Sequence, residues 1–352
     1  MKLIHCSDLH LDSKMEALPP HKAKERGSEI LLSLESMVEF ALNNGVTAIM
    51  IAGDMFDTQR VSPATVSFVL DIMRRAKGID FLYLRGNHDE SRFAFTGREL
   101  PENLHLFSEI WQSYDYGEAV IWGAELNAHL YDELPFDKSR CNIVMLHGQV
   151  STETGDGLVC LPRLRNRGIS YLALGHIHSY AKERLDLDGY WCYCGCLEGR
   201  GFDECGEKGF VLIETGDGGL HTRFVPFAKR RLHNVEVDIS GLEAVSEIRE
   251  AMRIASAHID RGDLVKFTLT GNFSTDTQKD TVFLRRAFED EFYHVKIKDE
   301  SRLAISREDY IHDISLKGAF IRGVMDSEMD GEEKERIILC GLRALAGEEA
   351  DV

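Results

Sequence analysis

The sequence has little that belongs to a membrane or secreted protein. No apolar run approaches the roughly 20 residues that a membrane-spanning helix needs, and no charged-then-apolar leader follows Met1. Its eight cysteines form no Cys-x-x-Cys pair, so a framework of disulfides is not expected. Hydrophobic residues make up 43% of the chain, enough for a sizeable core. We expect a cytoplasmic protein without membrane contact.

Four of the cysteines nevertheless lie close together. Cys192, Cys194 and Cys196 alternate, which on a strand would put all three thiols on one face. With Cys205 they could form a four-thiolate zinc site, although the spacing fits no common zinc pattern. The alternative is that they are small buried residues, as unpaired cysteines usually are. The sequence favours the second interpretation.

Positive charge is also scarce. The chain has 59 acidic and 41 basic residues, for a formal net charge of −18. This is the wrong sign for a protein that grips nucleic acid by its overall field, because such binding needs Lys and Arg to neutralise phosphates. If the substrate is DNA or RNA, then metal ions, local basic patches or a partner must supply the attraction.

The order of apolar segments indicates an α/β chain with more than one domain. Over the first two thirds, short apolar strands alternate with helical stretches, and 352 residues exceed the usual size of one domain. A strand-rich stretch ends near Phe227, and Lys229-Arg230-Arg231 marks a change of composition. We predict a large domain over residues 1–230, a small α/β domain over 231–310 and a helical tail over 311–352.

The strongest pattern is the polar group that follows each of five predicted strands. These groups are Asp8 and His10 after Lys2–Cys6, Asp54 after Val46–Ala52, Asn87 after Ile79–Leu84, His147 after Asn142–Leu146, and His176 and His178 after Tyr171–Leu174. In an open α/β sheet the carboxyl ends of the strands line one crevice. A single His-Gly or Gly-His pair is weak evidence, but five strand ends in order predict that seven side chains converge.

Seven such side chains indicate two metal ions. Carboxylate, amide and imidazole ligands suit Mn, Fe or Zn better than Ca or Mg alone. Seven ligands are too many for one catalytic ion that keeps an open position, whereas two ions about 3.5–4 Å apart can share one carboxylate. Asp54 is the expected bridge, because its neighbour Gly53 lets backbone approach closely. We predict two divalent ions, with Mn as the first choice and Fe or Zn as alternatives.

Together these motifs resemble those of the calcineurin-like metallophosphoesterases. They are Asp8-x-His10, Gly53-Asp54-x-x-Asp57, Gly86-Asn87-His88-Asp89, His147-Gly148 and Gly175-His176-x-His178. The residues around them, Cys6-Ser7-Asp8-Leu9-His10-Leu11-Asp12 above all, are similar to those of the SbcD-type DNA repair exonucleases. The resemblance covers about residues 1–215. It implies a sandwich of two β-sheets flanked by helices, followed by a small α/β capping domain.

The resemblance also implies how the seven ligands divide. The first ion would be bound by Asp8, His10, Asp54 and His178. The second ion would be bound by Asp54, Asn87, His147 and His176. A water or hydroxide that bridges the two ions would attack the phosphorus atom in line.

Three further residues receive roles from the same resemblance. His88 would protonate the leaving oxygen or stabilise charge on the phosphate, and Asp57 would hold the His88 ring in the tautomer that this role needs. Arg85 stands where relatives carry a small or apolar residue. It would either contact a substrate phosphate or pair with an acid on the rim of the site.

The function that the resemblance implies is hydrolysis of phosphodiester bonds, by a DNA exonuclease or endonuclease subunit of a DNA repair complex. The alternative is an enzyme of the same superfamily that acts on a small phosphodiester or phosphomonoester. A third interpretation is a binding subunit with a vestigial metal site. The complete ligand set argues against the third interpretation.

Two partners besides DNA follow from the resemblance. Similar nucleases bind an SMC-like ATPase through C-terminal helices, here Ser315–Met325 and Glu332–Leu345, whose apolar residues recur at helical spacing. Similar proteins also dimerise through helices in the regions of Ser62–Ala76 and Phe93–Trp111. The apolar faces of those two regions could equally cover the sheet.

Overall fold

The computed structural model describes residues 1–15, 18–57, 61–89, 95–216, 219–305 and 308–345. The chain divides into two compact units, Met1–Leu232 and His233–Val352. Each unit has its own cluster of buried apolar side chains. None of the helices within the described ranges is long and apolar enough to cross a membrane.

The first unit alternates strands and helices. In chain order its elements are β1 (Lys2–Cys6), α1 (Pro20–Asn43), β2 (Ala48–Ala52), α2 (Pro63–Arg75), β3 (Asp80–Leu84), β4 (Leu104–Leu106), β5 (Gln112–Asp115), β6 (Val120–Gly123), β7 (Asn142–His147), β8 (Gln149–Ser151), β9 (Leu158–Cys160), α3 (Leu161–Leu164), β10 (Ile169–Gly175), β11 (Ala181–Arg184), β12 (Tyr190–Tyr193), β13 (Gly209–Gly216) and β14 (Gly219–Pro226). Helix α2 is capped by Ser62, because the Ser62 hydroxyl accepts a hydrogen bond from the Thr65 amide at 3.1 Å.

Two six-stranded sheets make up this unit. Their strand orders are β14-β13-β1-β2-β3-β4 and β11-β12-β10-β7-β6-β5. Strands β1, β2 and β3 are parallel neighbours in the first sheet, and β6, β7, β10 and β12 are parallel neighbours in the second. The carboxyl ends of the parallel strands therefore lie at one edge of each sheet, which is where the predicted ligands stand.

The core of the sandwich is shared by the two sheets. One buried cluster contains Met50 and Leu82 of the first sheet together with Met145 and Ala173 of the second. On the first sheet, Phe40 of α1 packs against Phe210 of β13 with ring centroids 5.3 Å apart. The predicted fold, two β-sheets flanked by helices, is confirmed.

Cys192, Cys194 and Cys196 are buried and Cys205 is half-buried, but the four thiols do not gather into a ligand group. Strand β12 ends at Tyr193, and Gly195 turns the chain with a φ of 76°, so the alternation of thiols on one strand breaks there. Cys192 and Cys194 join the apolar core, and burial raises the pKa of both thiols. Within the described residues, the groups of close metal-binding atoms include no cysteine.

The second unit has a three-stranded sheet of order β15-β16-β18. Its elements are β15 (Leu232–Asp238), α4 (Val245–Ala255), β16 (Leu264–Thr270), β17 (Asn272–Phe273), α5 (Thr281–Phe288), β18 (His294–Asp299), β19 (Arg302–Leu303), a 3₁₀ turn (Glu308–Tyr310), α6 (Leu316–Met325) and α7 (Gly331–Leu345). Leu339 of α7 packs against the buried cluster of this unit. The predicted capping segment and the predicted tail helices thus both lie in the second unit.

The regions predicted to mediate dimerisation are only partly described. In α2 the apolar face (Val66, Val69, Leu70 and Met73) is buried within the unit, so this face covers the protein's own core. Phe93 belongs to residues 90–94, which lie outside the described residues.

Candidate metal centre

All seven predicted ligands lie where parallel strands end. Asp8, Asp54 and Asn87 follow β1, β2 and β3 of the first sheet. The other sheet contributes His147, the last residue of β7, and His176, which follows β10 directly. His10 lies two residues after Asp8, and His178 lies two residues after His176. The two sheets therefore present one group of ligands between them.

The backbone around these ligands is strained. Asp8, His10, Asp54 and His176 have φ values of 52°, 44°, 50° and 101°, in a region that costs a residue other than glycine roughly 1–2 kcal/mol. Hydrogen bonds hold two of these conformations, from the Asp8 amide to the Gly53 carbonyl and from the His10 amide to the Asp54 carbonyl, both 3.0 Å long. Such strain is typical of functional sites that the surrounding fold fixes.

The first ligand group consists of Asp8, His10 and His178. The Nε2 atoms of the two imidazoles lie 3.2 Å apart. Asp8 Oδ1 lies 3.9 Å from His10 Nε2 and 3.6 Å from His178 Nε2. Since Asp8 and His10 are almost completely buried, a carboxylate and two ring nitrogens face one small space.

Both imidazoles of this group are held at the nitrogen that faces away from it. Asp57 Oδ1 lies 2.9 Å from His10 Nδ1, and Glu204 Oε1 lies 2.6 Å from His178 Nδ1. A carboxylate at Nδ1 favours the tautomer with a proton there and leaves Nε2 as a lone-pair donor. Burial would lower the pKa of His178, but Glu204 and Asp8 together raise it.

The second ligand group consists of Asn87, His147 and His176. Asn87 Oδ1 lies 3.0 Å from His147 Nε2 and 3.2 Å from His176 Nδ1. His147 Nδ1 lies 2.8 Å from the backbone carbonyl of Ala52. This carbonyl holds the outer nitrogen of the ring, as the carboxylates of Asp57 and Glu204 do in the first group. The amide oxygen and the two rings are arranged as three ligands of one ion would be.

Asp54 lies between the two groups. Its Oδ2 atom is 3.3 Å from His147 Nε2 and 3.9 Å from His10 Nε2, and its Oδ1 atom accepts a hydrogen bond from the His88 amide at 2.8 Å. Burial alone would raise the pKa of Asp54, but the His147 ring and the His88 amide lower it to about 2. The geometry is that of a carboxylate able to bridge two cations.

Asp57 contacts two other residues of the site, His10 at 2.9 Å and the Arg200 guanidinium at 3.0 Å. A short parallel pairing, in which the Asp57 amide donates to the Leu11 carbonyl at 3.1 Å, brings it to the β1 loop. One oxygen of Asp57 and one ring nitrogen each of His10 and His88 lie within 4.8 Å of one another, and the predicted hold of Asp57 on the His88 ring stays a prediction. His88 is exposed, and its ring packs edge-on against His10 with centroids 5.1 Å apart.

Arg85 pairs with an acid on the rim of the site, which is the second of the two roles predicted for it. Its Nε and Nη2 atoms each donate to a Glu125 oxygen at 2.6 Å, and this pairing raises the pKa of Arg85. Both residues line a cavity of about 520 Å³ that also reaches Asn87, His147 and His176. Contact between Arg85 and a substrate phosphate stays a prediction.

Sequence reasoning missed the residues that hold the first ligand group. Glu204 contacts His178, Arg200 contacts Asp57 and Glu204, and the buried Lys208 donates to the His178 carbonyl at 2.6 Å. All three lie in the connection between β12 and β13. Glu207-Lys208-Gly209 in this connection is similar to the SbcD-type sequences, but that similarity assigns no function to any of the three residues.

A model of the calcineurin-like phosphoesterase family matches residues 1–180, just over half of the 352 residues. The chain belongs to this family. Family members are metal-dependent phosphoesterases that use two divalent metal ions.

Three curated relatives show where the chain stands within the family. It is 29% identical over 255 residues to the uncharacterized metallophosphoesterase YhaO of Bacillus subtilis, covering 67% of this chain and 61% of the relative. It is 26% identical over 262 residues to the DNA double-strand break repair protein Mre11 of Haloferax volcanii, covering 72% and 58%. The chain thus spans about three fifths of the length of these two relatives. With the SbcD component of the nuclease SbcCD of Escherichia coli it shares 23% identity, covering 99% of each chain.

The residues fit the two metal ions that the family uses. Carboxylate and imidazole atoms converge in three overlapping groups, which are Asp8, His10 and His178; His10, Asp57 and His88; and Asp8, Asp54 and His147. The Asn87 amide oxygen adds a contact with His147 and His176. The site also attracts positive charge: burial would lower the pKa of His147, but Asp54 and Asp8 raise it to about 9. A site that draws a proton so strongly onto a buried imidazole is suited to bind a cation in its place.

Gly53 gives a test of the second ligand group. A Cβ atom at Gly53 would lie 2.0 Å from His147 Nδ1, so Gly53→Ala should displace the imidazole that Ala52 holds. We expect the number of Mn²⁺ ions bound per chain, measured by equilibrium dialysis, to fall below two. Gly78→Ala is the matched control, because Gly78 has nearly the same φ (94° against 95°) and nothing within 4 Å. Equal binding by the two variants would contradict the assignment of His147.

Proposed function

We propose that the chain is a two-metal phosphodiesterase that hydrolyses DNA, as an exonuclease or endonuclease subunit of a DNA repair complex. The observation that carries the proposal is the pair of ligand groups joined by Asp54, with the Nε2 atoms of His10, His147 and His178 all facing carboxylates. The names of the Mre11 and SbcCD relatives, a double-strand break repair protein and a nuclease, support DNA as the substrate.

The ligand residues would hold the two ions in the sets that the sequence predicts. One set is Asp8, His10, Asp54 and His178, and the other is Asp54, Asn87, His147 and His176. When bound, the ions act as Lewis acids that neutralise phosphate charge and make water a stronger nucleophile. The mixture of oxygen and nitrogen ligands supports Mn as the metal, with Fe or Zn as alternatives.

His88 would transfer the proton that the leaving oxygen needs. It stands next to the ligand Asn87, and its ring is exposed to an approaching substrate. The hydrogen bond from its amide to Asp54 fixes its backbone beside the bridging carboxylate. Asp57 serves the reaction indirectly, because it orients His10 instead of moving a proton of the substrate.

A second candidate is a phosphoesterase that acts on a small substrate. The cavity beside the second ligand group is lined by four acids, Asp89, Glu109, Glu125 and Asp156, while its one arginine, Arg85, is already paired. These acidic side chains would repel a second phosphate of a nucleic acid strand if that phosphate entered the cavity. A small diester or monoester, with one phosphate at the metal ions, would not meet that repulsion.

We also propose that an SMC-like ATPase binds the second unit, in the cytoplasm. The net charge of −18 calls for a partner that attracts DNA, and Ile311, Ile314 and Leu316 expose apolar side chains before and at the start of α6. Ile314→Glu should lower recovery of the ATPase in co-purification, whereas Leu187→Glu, on a highly exposed residue of the first unit, should not. Equal recovery with both variants would contradict this surface. A homodimer stays a prediction.

An assay with three substrates tests the choice of DNA. The purified protein is incubated with Mn²⁺ and end-labelled duplex DNA, single-stranded DNA or a small chromogenic diester, and the initial rates are compared. Turnover of DNA at a higher kcat/KM than the diester is the expected result. Hydrolysis of the diester with DNA left intact would favour the second candidate.

Two variants control this assay. Asp54→Asn should bind fewer than the two ions of the parent protein, because the bridging charge is lost, and should be inactive on every substrate.

His88→Ala should keep both ions and lose activity by about 10²–10⁴-fold, the contribution of a general acid. Normal turnover by His88→Ala would remove His88 from the reaction.

A further inference from the structure

One arginine joins the two imidazoles of the first ligand group. Arg200 Nη1 donates to Asp57 Oδ1 at 3.0 Å, and Arg200 Nη2 donates to Glu204 Oε1 at 2.7 Å. These are the same carboxylate oxygens that lie against His10 Nδ1 and His178 Nδ1. A single planar guanidinium therefore fixes both carboxylates at once, which a fork of N–H donors can do and a point charge cannot.

We infer that Arg200 is a positioning residue of the metal centre, which orients His10 and His178 through Asp57 and Glu204 for one of the two ions. This inference rests on the proposed function, since it assigns a role toward the metal ions. It concerns one ion alone, because His147 of the other set is held by a backbone carbonyl.

The two imidazoles need such a connection because they come from different sheets. His10 belongs to the loop after β1, and His178 belongs to the loop after β10. Asp57 and Glu204 are both negative, and without a cation between them they would repel each other and turn toward solvent. Arg200 and Glu204 have side chains only 16% and 5% exposed, so this contact is little screened by water.

Arg200 itself is held in place from both sides. Its amide donates to Glu204 Oε2 at 2.7 Å, which closes the loop around the carboxylate. The neighbouring Gly199 carbonyl and the Glu198 carboxylate both accept from the buried Arg26 of α1, at 3.0 and 2.9 Å. The loop that carries Arg200 is thus anchored to α1, and this anchoring restricts the position of the guanidinium.

A positioning role and a purely electrostatic role of Arg200 predict opposite effects of its removal on the affinity for metal ions. A positive group beside the ligands repels metal ions, so its loss would tighten metal binding if only its charge mattered. If Arg200 orients the rings, its loss weakens binding of the ion that His10 and His178 hold. The sign of the change in affinity therefore separates the two explanations.

The test is calorimetric titration of Mn²⁺ into the metal-free full-length protein. Arg200→Gln should weaken one of the two binding steps by about 10–100-fold, as loss of groups that orient metal ligands does, and leave the other step unchanged. Arg200→Lys keeps the charge but reaches one carboxylate at a time, so it should weaken the same step to a smaller extent. Arg140→Gln, which breaks an exposed arginine–aspartate pair elsewhere in the first unit, should change neither step.

Tighter or unchanged binding by Arg200→Gln, with Arg200→Lys like the parent protein, would overturn the inference. Glu204→Gln gives a second measurement, because the amide still accepts from His178 but loses the ion pair with Arg200. It should weaken the same step, and it serves as the test if Arg200→Gln does not fold. A parent protein that binds no Mn²⁺ would instead refute the proposed function.

Discussion

The metal centre depends on which nitrogen of each imidazole remains free. Three rings have Nδ1 held from outside the centre, by Asp57, by Glu204 and by the carbonyl of Ala52. Their Nε2 atoms consequently face Asp8, Asp54 or Asn87. A ring that turned over would withdraw a ligand and bury an unpaired N–H, so these outer contacts determine the centre as much as the ligands do.

The two ligand groups are held by different kinds of contact. In the second group a backbone carbonyl at the end of β2 holds His147 of β7, so this contact depends on how the two sheets pack. In the first group the charged side chains of Asp57 and Glu204 hold the rings, and Arg200 joins them. Substitution of these side chains therefore changes the first group directly, whereas the second group responds to substitutions that disturb its close packing, such as Gly53→Ala.

The convergence of the candidate ligands could be predicted from the sequence, because their positions follow from the topology. Parallel strands bring their carboxyl ends to one edge, so Asp8, Asp54 and His147 converge whatever their side chains do. The contacts of Asp57 with His10 and Arg200 could not be predicted in this way, because they depend on the pairing of Asp57 with Leu11. Arg200 and Glu204 lie in an irregular connection without periodicity, so neither strand nor helix patterns point toward the site.

The centre also explains how an acidic chain can act on a phosphate. Asp8 and Asp54 are buried, and their charge is directed at the ligand space instead of at the substrate. Two divalent ions would reverse the local sign, while the net charge of −18 keeps the rest of the surface unattractive to nucleic acid. Attraction of a phosphate is then local to the metal ions, in agreement with the proposed function, in which the metals or a partner would engage DNA.

The most direct test is a crystal structure of the protein with Mn²⁺, in which anomalous scattering locates the ions. Two peaks about 3.5–4 Å apart are expected on either side of Asp54. One should lie among Asp8, His10 and His178, and the other among Asn87, His147 and His176. A single peak, or peaks that Asp54 does not contact, would contradict a centre built on this shared carboxylate.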